Sequence, residues 1–291
     1  MQTAELIKKV RKIEIKTRGL TSQVFSGEYH SAFKGRGMAF SEVREYQPGD
    51  DIRSIDWNVT ARFGTPYVKI FEEERELTVM LLVDVSRSER FGTRTQQKKD
   101  LVTELSAVLA FAAIQNNDKI GVIFFSDRVE QFIPPKKGRT HILRIIREML
   151  EIEPQGRGTD IGAALQYFSN VIKKRSIVFV LSDFMDRQFE SAMRIASRKH
   201  DLVALRVFDQ GETELPPIGL VRFHDPELDR ELWVDTSNKK ALAHYRAWWL
   251  EREHRIKQTF RSAGVDSVTI RTDQSYVKPL MNFFRSRERA R

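Results

Sequence analysis

Short uncharged apolar runs alternate with stretches of helical periodicity over most of this chain. Residues 77–83 are all apolar or β-branched, too few for an ordinary helix, and predict a strand buried on both faces. Later runs predict similar strands at 119–125, 176–181, 202–208 and 266–270. Periodic stretches predict helices at 97–116, 140–150, from the loop 156–162 to about 172, and at 187–198, 238–262 and 276–287. This alternation, with short turns, predicts a doubly wound, mostly parallel, Rossmann-like α/β sheet.

The first 75 residues break this regular alternation. Residues 5–16 predict an amphipathic helix, and residues 37–47 and 66–71 predict two strands. Between the strands, a Pro-Gly-Asp-Asp turn leads into a helix, with Asp50 or Asp51 as N-cap and with Ile52, Ile55 and residues 57–59 facing inward. The dense charges and aromatics predict a β-rich subdomain held by ion pairs, which we prefer to a second active site.

Two domains follow from this reading. We expect an N-terminal helix and β-rich subdomain at residues 1–75 and a large α/β domain at residues 76–291. The large domain should carry a hairpin insertion near 219–234, around a Pro-Glu-Leu-Asp turn, and a basic C-terminal helix.

Composition narrows the class of protein. The chain has 291 residues, a net charge of +9 and no cysteine, which excludes disulfides, thiolate metal sites and a cysteine nucleophile. No run approaches the ~18 apolar residues of a membrane span, and the N-terminus lacks the apolar centre of a signal peptide. We therefore expect a cytoplasmic protein. The basic clusters are dispersed and lack interleaved aromatics, so nucleic-acid binding is kept only as an alternative.

The first core strand ends in three oxygen-bearing side chains. Asp84, Ser86 and Ser88 stand at alternate positions just beyond the carboxyl end of this strand, where open α/β sheets bind ligands. One carboxylate and two hydroxyls suit Mg²⁺ or Mn²⁺ and suit Zn²⁺ poorly. From this stretch alone, an Asx or Ser turn that caps the next helix is an equal alternative.

Two later loops carry matching chemistry. Thr159 follows Gly158 in a glycine-rich loop that opens a helix, and Asp183 ends the buried strand 176–181. In a doubly wound sheet these loops lie along one carboxyl edge and can converge on a single point. A cation held there would keep some of its waters, and a carboxylate from another molecule could displace one. Asp127 and Asp160 are expected to support the site from behind its ligands.

These residues resemble the metal-ion-dependent adhesion site of von Willebrand factor A domains. That site consists of Asp-x-Ser-x-Ser, a threonine in a later loop and an aspartate after a later strand, for which Asp84, Ser86, Ser88, Thr159 and Asp183 are the counterparts. The resemblance implies a bound metal, Mg²⁺ with Mn²⁺ or Ca²⁺ as alternatives, whose open position takes a carboxylate from a protein partner. Many A domains have asparagine where this chain has Asp160, so additional negative charge is expected here.

Residues 35–62 resemble the signature of a bacterial family called domain of unknown function 58. The block begins Gly35-Arg-Gly-Met-Ala-Phe and ends Asp-Trp-Asn-Val-Thr-Ala-Arg62, and members of the family carry it before a von Willebrand A-like domain. The resemblance implies a partner of MoxR-type AAA+ ATPases with a role in chaperoning or complex assembly. Many relatives have N-terminal membrane helices, which this sequence does not show.

An enzyme is the main alternative class. A Mg²⁺-dependent phosphatase or phosphotransferase of the haloacid dehalogenase type would use Asp84 as nucleophile and Asp183 with Asp186 as its later acidic pair. That chemistry needs a carboxylate two residues after the nucleophile as general acid, and this position is Ser86. The histidines are scattered, and none is predicted near Asp84. We therefore predict a non-enzymatic interaction module.

Overall fold

A computed structural model describes residues 10–17, 21, 38–73, 77–92, 96–186, 188–225 and 230–289. The chain divides into a small unit, residues 33–77, and a large unit made of residues 1–32 and 78–291. Helix α1 (10–17) belongs to the large unit, where Lys16 pairs with Glu104 at 2.6 Å and Glu14 pairs with Arg139 at 2.6 Å. The predicted start of this helix, at residues 5–9, lies outside the described residues.

The small unit is built on an antiparallel strand pair. Strand β1 (Met38–Glu45) pairs with β2 (Tyr67–Glu73), and helix α2 (Trp57–Phe63) lies between them in sequence. Arg44 donates two hydrogen bonds to the Asp50 carboxylate, at 2.8 and 2.7 Å. A two-stranded β structure with charged pairs is what the pattern of polar residues predicts.

The inward placement predicted for Ile52 and Trp57 is wrong. Their side chains are 67% and 68% exposed. A two-stranded sheet offers too little surface to bury every apolar residue that precedes and opens α2. The capping prediction was close, because Asp51 caps the 3-10 turn Ile52–Ser54 and Asp56 caps α2.

The large unit contains a six-stranded sheet in the order β10-β7-β6-β3-β4-β5, in which only β5 is antiparallel to its neighbour. This confirms the predicted doubly wound, mostly parallel α/β fold. The chain passes from β3 to β4 on one side and later to β6 on the other, so the carboxyl ends of β3 and β6 flank the topological switch point. The six strands are β3 (Thr78–Asp84), β4 (Lys119–Phe125), β5 (Val129–Lys136), β6 (Ile177–Ser182), β7 (Asp201–Phe208) and β10 (Asp266–Arg271).

Helices cover the sheet, and the predicted hairpin is present as a separate two-stranded sheet of β8 (Leu220–Asp225) and β9 (Arg230–Asp235). Helix α3 (Lys98–Gln115) is buried around almost its whole circumference, so Lys98 and Glu104 lie inside the protein. The helices of the large unit after α1 are α3 (Lys98–Gln115), α4 (Arg139–Glu151), α5 (Ile161–Val171), α6 (Glu190–Lys199), α7 (Gln210–Thr213), α8 (Lys239–Ser262) and α9 (Val277–Arg289).

Candidate metal site

Strand β3 delivers Asp84 to the switch point in a fixed orientation. The strand is an uncharged apolar run buried by β4 and β6 on its two sides, and Asp84 at its end is 2% exposed. One carboxylate oxygen accepts the Ser86 N–H at 2.9 Å, and the other accepts the Ser182 hydroxyl at 2.7 Å. Ser182 is the last residue of β6, so the hydrogen bond ties the two strand ends together.

Ser86 and Ser88 present adjacent hydroxyls. Their Oγ atoms are 3.0 Å apart, and Ser86 is completely buried. Neighbouring ligands of an octahedral Mg²⁺, each about 2.1 Å from the ion, are separated by about 3 Å, so both hydroxyls can contact one small cation. The Asx turn that the sequence offered as an alternative is present, because Asp84 accepts the Ser86 N–H. However, the Ser86 side chain does not cap the following 3-10 helix Arg87–Arg90.

The loop that carries Thr159 is attached to the end of β4. The Asp160 N–H donates to the Ser126 carbonyl at 2.8 Å, one residue beyond Phe125, which pairs with Asp84 in the sheet. Thr159 therefore lies at the same carboxyl edge as Asp84. Its hydroxyl oxygen is buried and has no hydrogen-bond partner among the described residues. A buried hydroxyl left without a protein partner fits a missing ligand.

Carboxylates hold the backbone of this loop. Asp127 accepts the Arg157 N–H at 3.0 Å, and Glu130 accepts the Gly156 N–H at 2.8 Å. A Cβ atom at Gly156 would meet Ser126 Oγ and Asp127 Oδ1, so a larger residue there would require these side chains or the loop to move. Asp127 thus holds the backbone of the loop, and the Asp160 side chain accepts the Ala163 N–H and caps α5. Their predicted support of a metal site stays a prediction.

Asp183 is held by a lysine that the sequence did not reveal. The Lys98 ammonium, at the start of α3, is fully buried and lies 2.7 Å from Asp183 Oδ2 and 2.7 Å from Glu212 Oε1. The Arg206 side chain, 2% exposed, donates to the Asp183 carbonyl at 3.4 Å. Asp183 is therefore at the predicted place, but a cation of the protein itself already contacts its carboxylate.

The residue after Asp183 has an unusual backbone conformation. Phe184 has φ of +58°, in the left-handed region that bulky residues avoid. Its ring is fully buried and packs edge-on against Phe260 at 4.9 Å between centroids. Arg252 of α8 also donates to the carbonyls of Met185 and Asp186. Core packing and a remote arginine thus fix the turn that follows Asp183.

A third carboxylate, Glu89, joins this cluster. Carboxylate oxygens of Asp84, Glu89 and Asp183 all lie within 4.8 Å of one another. Glu89 is 2% exposed, and neither of its carboxylate oxygens has a hydrogen-bond partner in the described part of the chain. Sequence reasoning missed it because a glutamate between Ser88 and Arg90 looks like ordinary surface charge.

Electrostatics favour a cation at this edge. Burial and then the charge of Asp183 raise the pKa of Asp84 to about 6, and burial raises the pKa of Glu89 well above its ordinary value. Burial also acts to raise the pKa of Asp183, but the Lys98 ammonium outweighs it and the pKa is lowered. All of the candidate donors are oxygens, which fits a hard cation such as Mg²⁺.

Hydrogen-bond contacts bring Asp84, Ser86 and Ser88 together, and the Asp183 carboxylate lies within 4.8 Å of that of Asp84. The loop places Thr159 at the same edge. Beside Thr159 an open cleft of about 650 Å³ is lined by three acidic side chains, Asp127, Asp160 and Asp186. This cleft is a surface from which another molecule can approach the loop.

Among the residues that the structure describes, every helix is too short or too polar to cross a bilayer.

Comparisons with known proteins agree with this architecture. An uncharacterised protein of Mycobacterium tuberculosis is 30% identical over 288 residues, which cover 96% of this chain and 89% of that protein. An aerotolerance-related membrane protein of Bacteroides fragilis has a similar fold, with a TM-score of 0.50 and 16% identity over 72% of this chain and 99% of its own. The von Willebrand A domain of SpRpn10 gives a TM-score of 0.42 at 12% identity, over 71% of this chain and 94% of that domain.

The family described as "Protein of unknown function DUF58" matches residues 42–255 of this chain. The match begins within β1 and ends within α8. The mostly parallel six-stranded sheet flanked by helices is the doubly wound α/β fold, and the Bacteroides fragilis protein has a similar one. On this match the chain belongs to the DUF58 family.

Proposed function

We propose that this protein is a metal-dependent protein-interaction module. Asp84, Ser86, Ser88, Thr159 and Asp183 hold a divalent cation, Mg²⁺, at the carboxyl edge of the sheet. The three hydroxyls act as ligands or position the ion, the carboxylates balance its charge, and an open coordination position takes a carboxylate from a protein partner. The metal supplies a fixed positive charge that a carboxylate can recognise.

The buried, unpartnered hydroxyl of Thr159 is the observation that carries this proposal. Buried polar groups are almost always hydrogen-bonded, and this one lies at the edge where two other hydroxyls are 3.0 Å apart. An ion at that edge would satisfy all three hydroxyls. The raised pKa of Asp84, caused by burial and by Asp183, adds an electrostatic reason for a cation there.

The partner we propose is a MoxR-type AAA+ ATPase, which the family resemblance suggests, in a role in chaperoning or complex assembly. The acidic cleft beside Thr159 supports a partner segment in which basic residues flank the coordinating carboxylate, because Asp127, Asp160 and Asp186 would repel a purely acidic one. A cytoplasmic location stays a prediction, since the similar Bacteroides fragilis protein is described as a membrane protein.

A phosphotransferase is a weaker proposal on this geometry. Asp84 is 2% exposed, and both of its carboxylate oxygens already accept hydrogen bonds. A nucleophilic carboxylate must reach an incoming phosphate ester, and this one is enclosed by Ser182 and the Asx turn. Binding chemistry accounts for the donor set better than covalent catalysis does.

The test is a pull-down from the source cell, in Mg²⁺ or in EDTA, with Thr159→Ala and the matched control Thr269→Ala. Thr159→Ala removes a hydroxyl that makes no protein hydrogen bond, so folding should be preserved; Thr269 is exposed on the edge strand β10. We expect wild type and the control to retain a MoxR-type ATPase in Mg²⁺ only. Retention by Thr159→Ala, or in EDTA, would contradict the proposal and place the interface elsewhere.

A further inference from the structure

We infer that Glu89 is an additional ligand of the same cation and that the site therefore binds its metal without any partner. This inference rests on the proposed function, because it assumes a cation at the edge where β3 and β6 end. Glu89 is not one of the five positions of the adhesion-site pattern. Its burial and its closeness to the carboxylates of Asp84 and Asp183 identify it instead.

Glu89 is directed at the other carboxylates by the local backbone. It belongs to the 3-10 helix Arg87–Arg90, and its N–H donates to the Ser86 carbonyl at 3.2 Å. The turn thus continues directly from the hydroxyl ligands into Glu89. With oxygens of Asp84, Glu89 and Asp183 within 4.8 Å of one another, one cation can contact or approach all three.

The burial of Glu89 needs a counter-charge that the described protein groups do not supply by direct contact. Its carboxylate is 2% exposed, and both oxygens lack hydrogen-bond partners among the described residues. Lys98 is the nearby ammonium, but it already contacts Asp183 and Glu212 at 2.7 Å each. Buried carboxylates are normally paired or bound to a metal.

Charge balance points to a divalent ion. The carboxylates at this edge are the buried Asp84, Glu89 and Asp183 and the half-buried Glu212. Among the described residues, Lys98 contacts Asp183 and Glu212, and Arg206 bonds the Asp183 carbonyl and also pairs with Glu253. When all four carboxylates are ionised they outnumber these two cations, so a divalent cation that displaces their protons would offset the excess without a partner's carboxylate, and we expect the isolated protein to bind it.

The experiment measures Mn²⁺ binding to the purified full-length chain by electron paramagnetic resonance and calorimetry. Glu89→Gln keeps the shape of the side chain and removes its charge. The matched control is Glu104→Gln, a buried glutamate of α3 whose carboxylate instead bonds Lys16 and Tyr276. We expect Glu89→Gln to weaken Mn²⁺ binding at least about tenfold, and Glu104→Gln to leave the affinity unchanged.

A second measurement separates ligation from a structural role. Metal-free Glu89→Gln should melt at or above the wild-type temperature, because a buried unpaired carboxylate is gone, yet it should gain less from added Mn²⁺. If Glu89→Gln does not fold, Glu89→Met, of similar volume and without polar oxygen atoms, gives the same comparison.

The outcomes distinguish this inference from the function on which it rests. Wild-type affinity in Glu89→Gln, together with weakened binding in Thr159→Ala, would overturn the role of Glu89 and leave the proposed function standing. Failure of the wild-type protein to bind Mn²⁺ at millimolar concentration would overturn the inference that the metal binds without a partner, and the pull-down in Mg²⁺ and in EDTA tests the proposed function separately.

Discussion

The two strand ends that meet at the switch point are stabilised in different ways. At the end of β3, Asp84, Ser86 and Ser88 are organised by hydrogen bonds to one another and to Ser182 of the neighbouring strand. At the end of β6, Asp183 is held by cations from distant elements, chiefly Lys98 of α3. The half of the site at β3 is organised mainly by hydrogen bonds within a few residues, and the half at β6 by a long-range ion pair.

Because of this difference, mutations in the two halves should affect different properties of the protein. A local half, built by hydrogen bonds over a few residues, can lose one hydroxyl and keep its backbone. A long-range half depends on a buried charge pair, and removal of one member leaves the other uncompensated, which costs far more than the pair contributes. Changes on the β6 side should therefore affect folding first, and changes on the β3 side should affect metal binding first.

Lys98→Met is expected to have the largest effect on stability. It leaves Asp183 and Glu212 buried without the ammonium that lies 2.7 Å from each, and loss of one partner of a buried pair costs about 3–5 kcal/mol. Urea denaturation in EDTA measures the free energy of unfolding. Added Mg²⁺ should restore part of the loss, because the ion supplies positive charge to the same carboxylates.

The matched control for this change is Lys240→Met in the first turn of α8, where the lysine is exposed. It should alter the free energy of unfolding by less than about 0.5 kcal/mol. A Lys98 variant as stable as this control would mean that Asp183 and Glu212 are not held by charge, and the contrast between the two strand ends would disappear.

Gly156→Ala tests the loop that carries Thr159. Like the β6 side, this loop is held by residues distant in sequence, Asp127 and Glu130. The new methyl group would meet Ser126 Oγ and Asp127 Oδ1, so the loop or these side chains must move. Overpacking of this kind costs about 1–3 kcal/mol. Urea denaturation should show that loss, and Mn²⁺ affinity should fall as Thr159 shifts. Unchanged affinity with reduced stability would show that the Ser126 and Asp127 side chains move and the loop does not.

The same division between local and long-range contacts explains what the sequence could predict. The buried strands are uncharged apolar runs, and the Asp84, Ser86 and Ser88 pattern spans only five residues, so local reasoning finds both. Lys98 lies 85 residues from Asp183 and 114 residues from Glu212. At the start of a helix, a lysine resembles a surface residue, and only the tertiary packing around α3 buries it.

The errors in the small unit have a related cause. Ile52 and Trp57 are apolar, and apolar residues next to a predicted helix are expected to face a core. The antiparallel pair of β1 and β2 is too small to provide one, so both remain exposed. The hydrophobic pattern predicts which residues are stabilised by burial. The area of the surface they can pack against decides which of them are buried.

A second buried polar side chain, His200, lies at the opposite edge of the sheet. His200 precedes β7, is 2% exposed, and neither ring nitrogen has a hydrogen-bond partner among the described residues; its ring packs against Phe168 at 4.5 Å. Burial, and then the charges of Lys199 and Arg175, lower the pKa of His200 from its ordinary value of 6.5 to about 4. The Lys98 ammonium lies near Glu89 and favours a charged carboxylate there. Lys199 and Arg175 near His200 instead oppose its protonation, so the imidazole stays neutral.

This neutral state predicts a specific acid sensitivity. Because the unfolded chain takes up a proton near pH 6.5 and the folded chain does so only near pH 4, stability falls as pH drops through that window and levels off below it. Between pH 7.5 and pH 5 the loss should be roughly 1–2 kcal/mol. In His200→Leu this part of the loss should vanish, whereas it should persist in the control His254→Leu, since His254 is exposed. Urea denaturation in EDTA at both pH values measures the difference, and an equal loss in the two variants would show that His200 is not the source of the acid sensitivity.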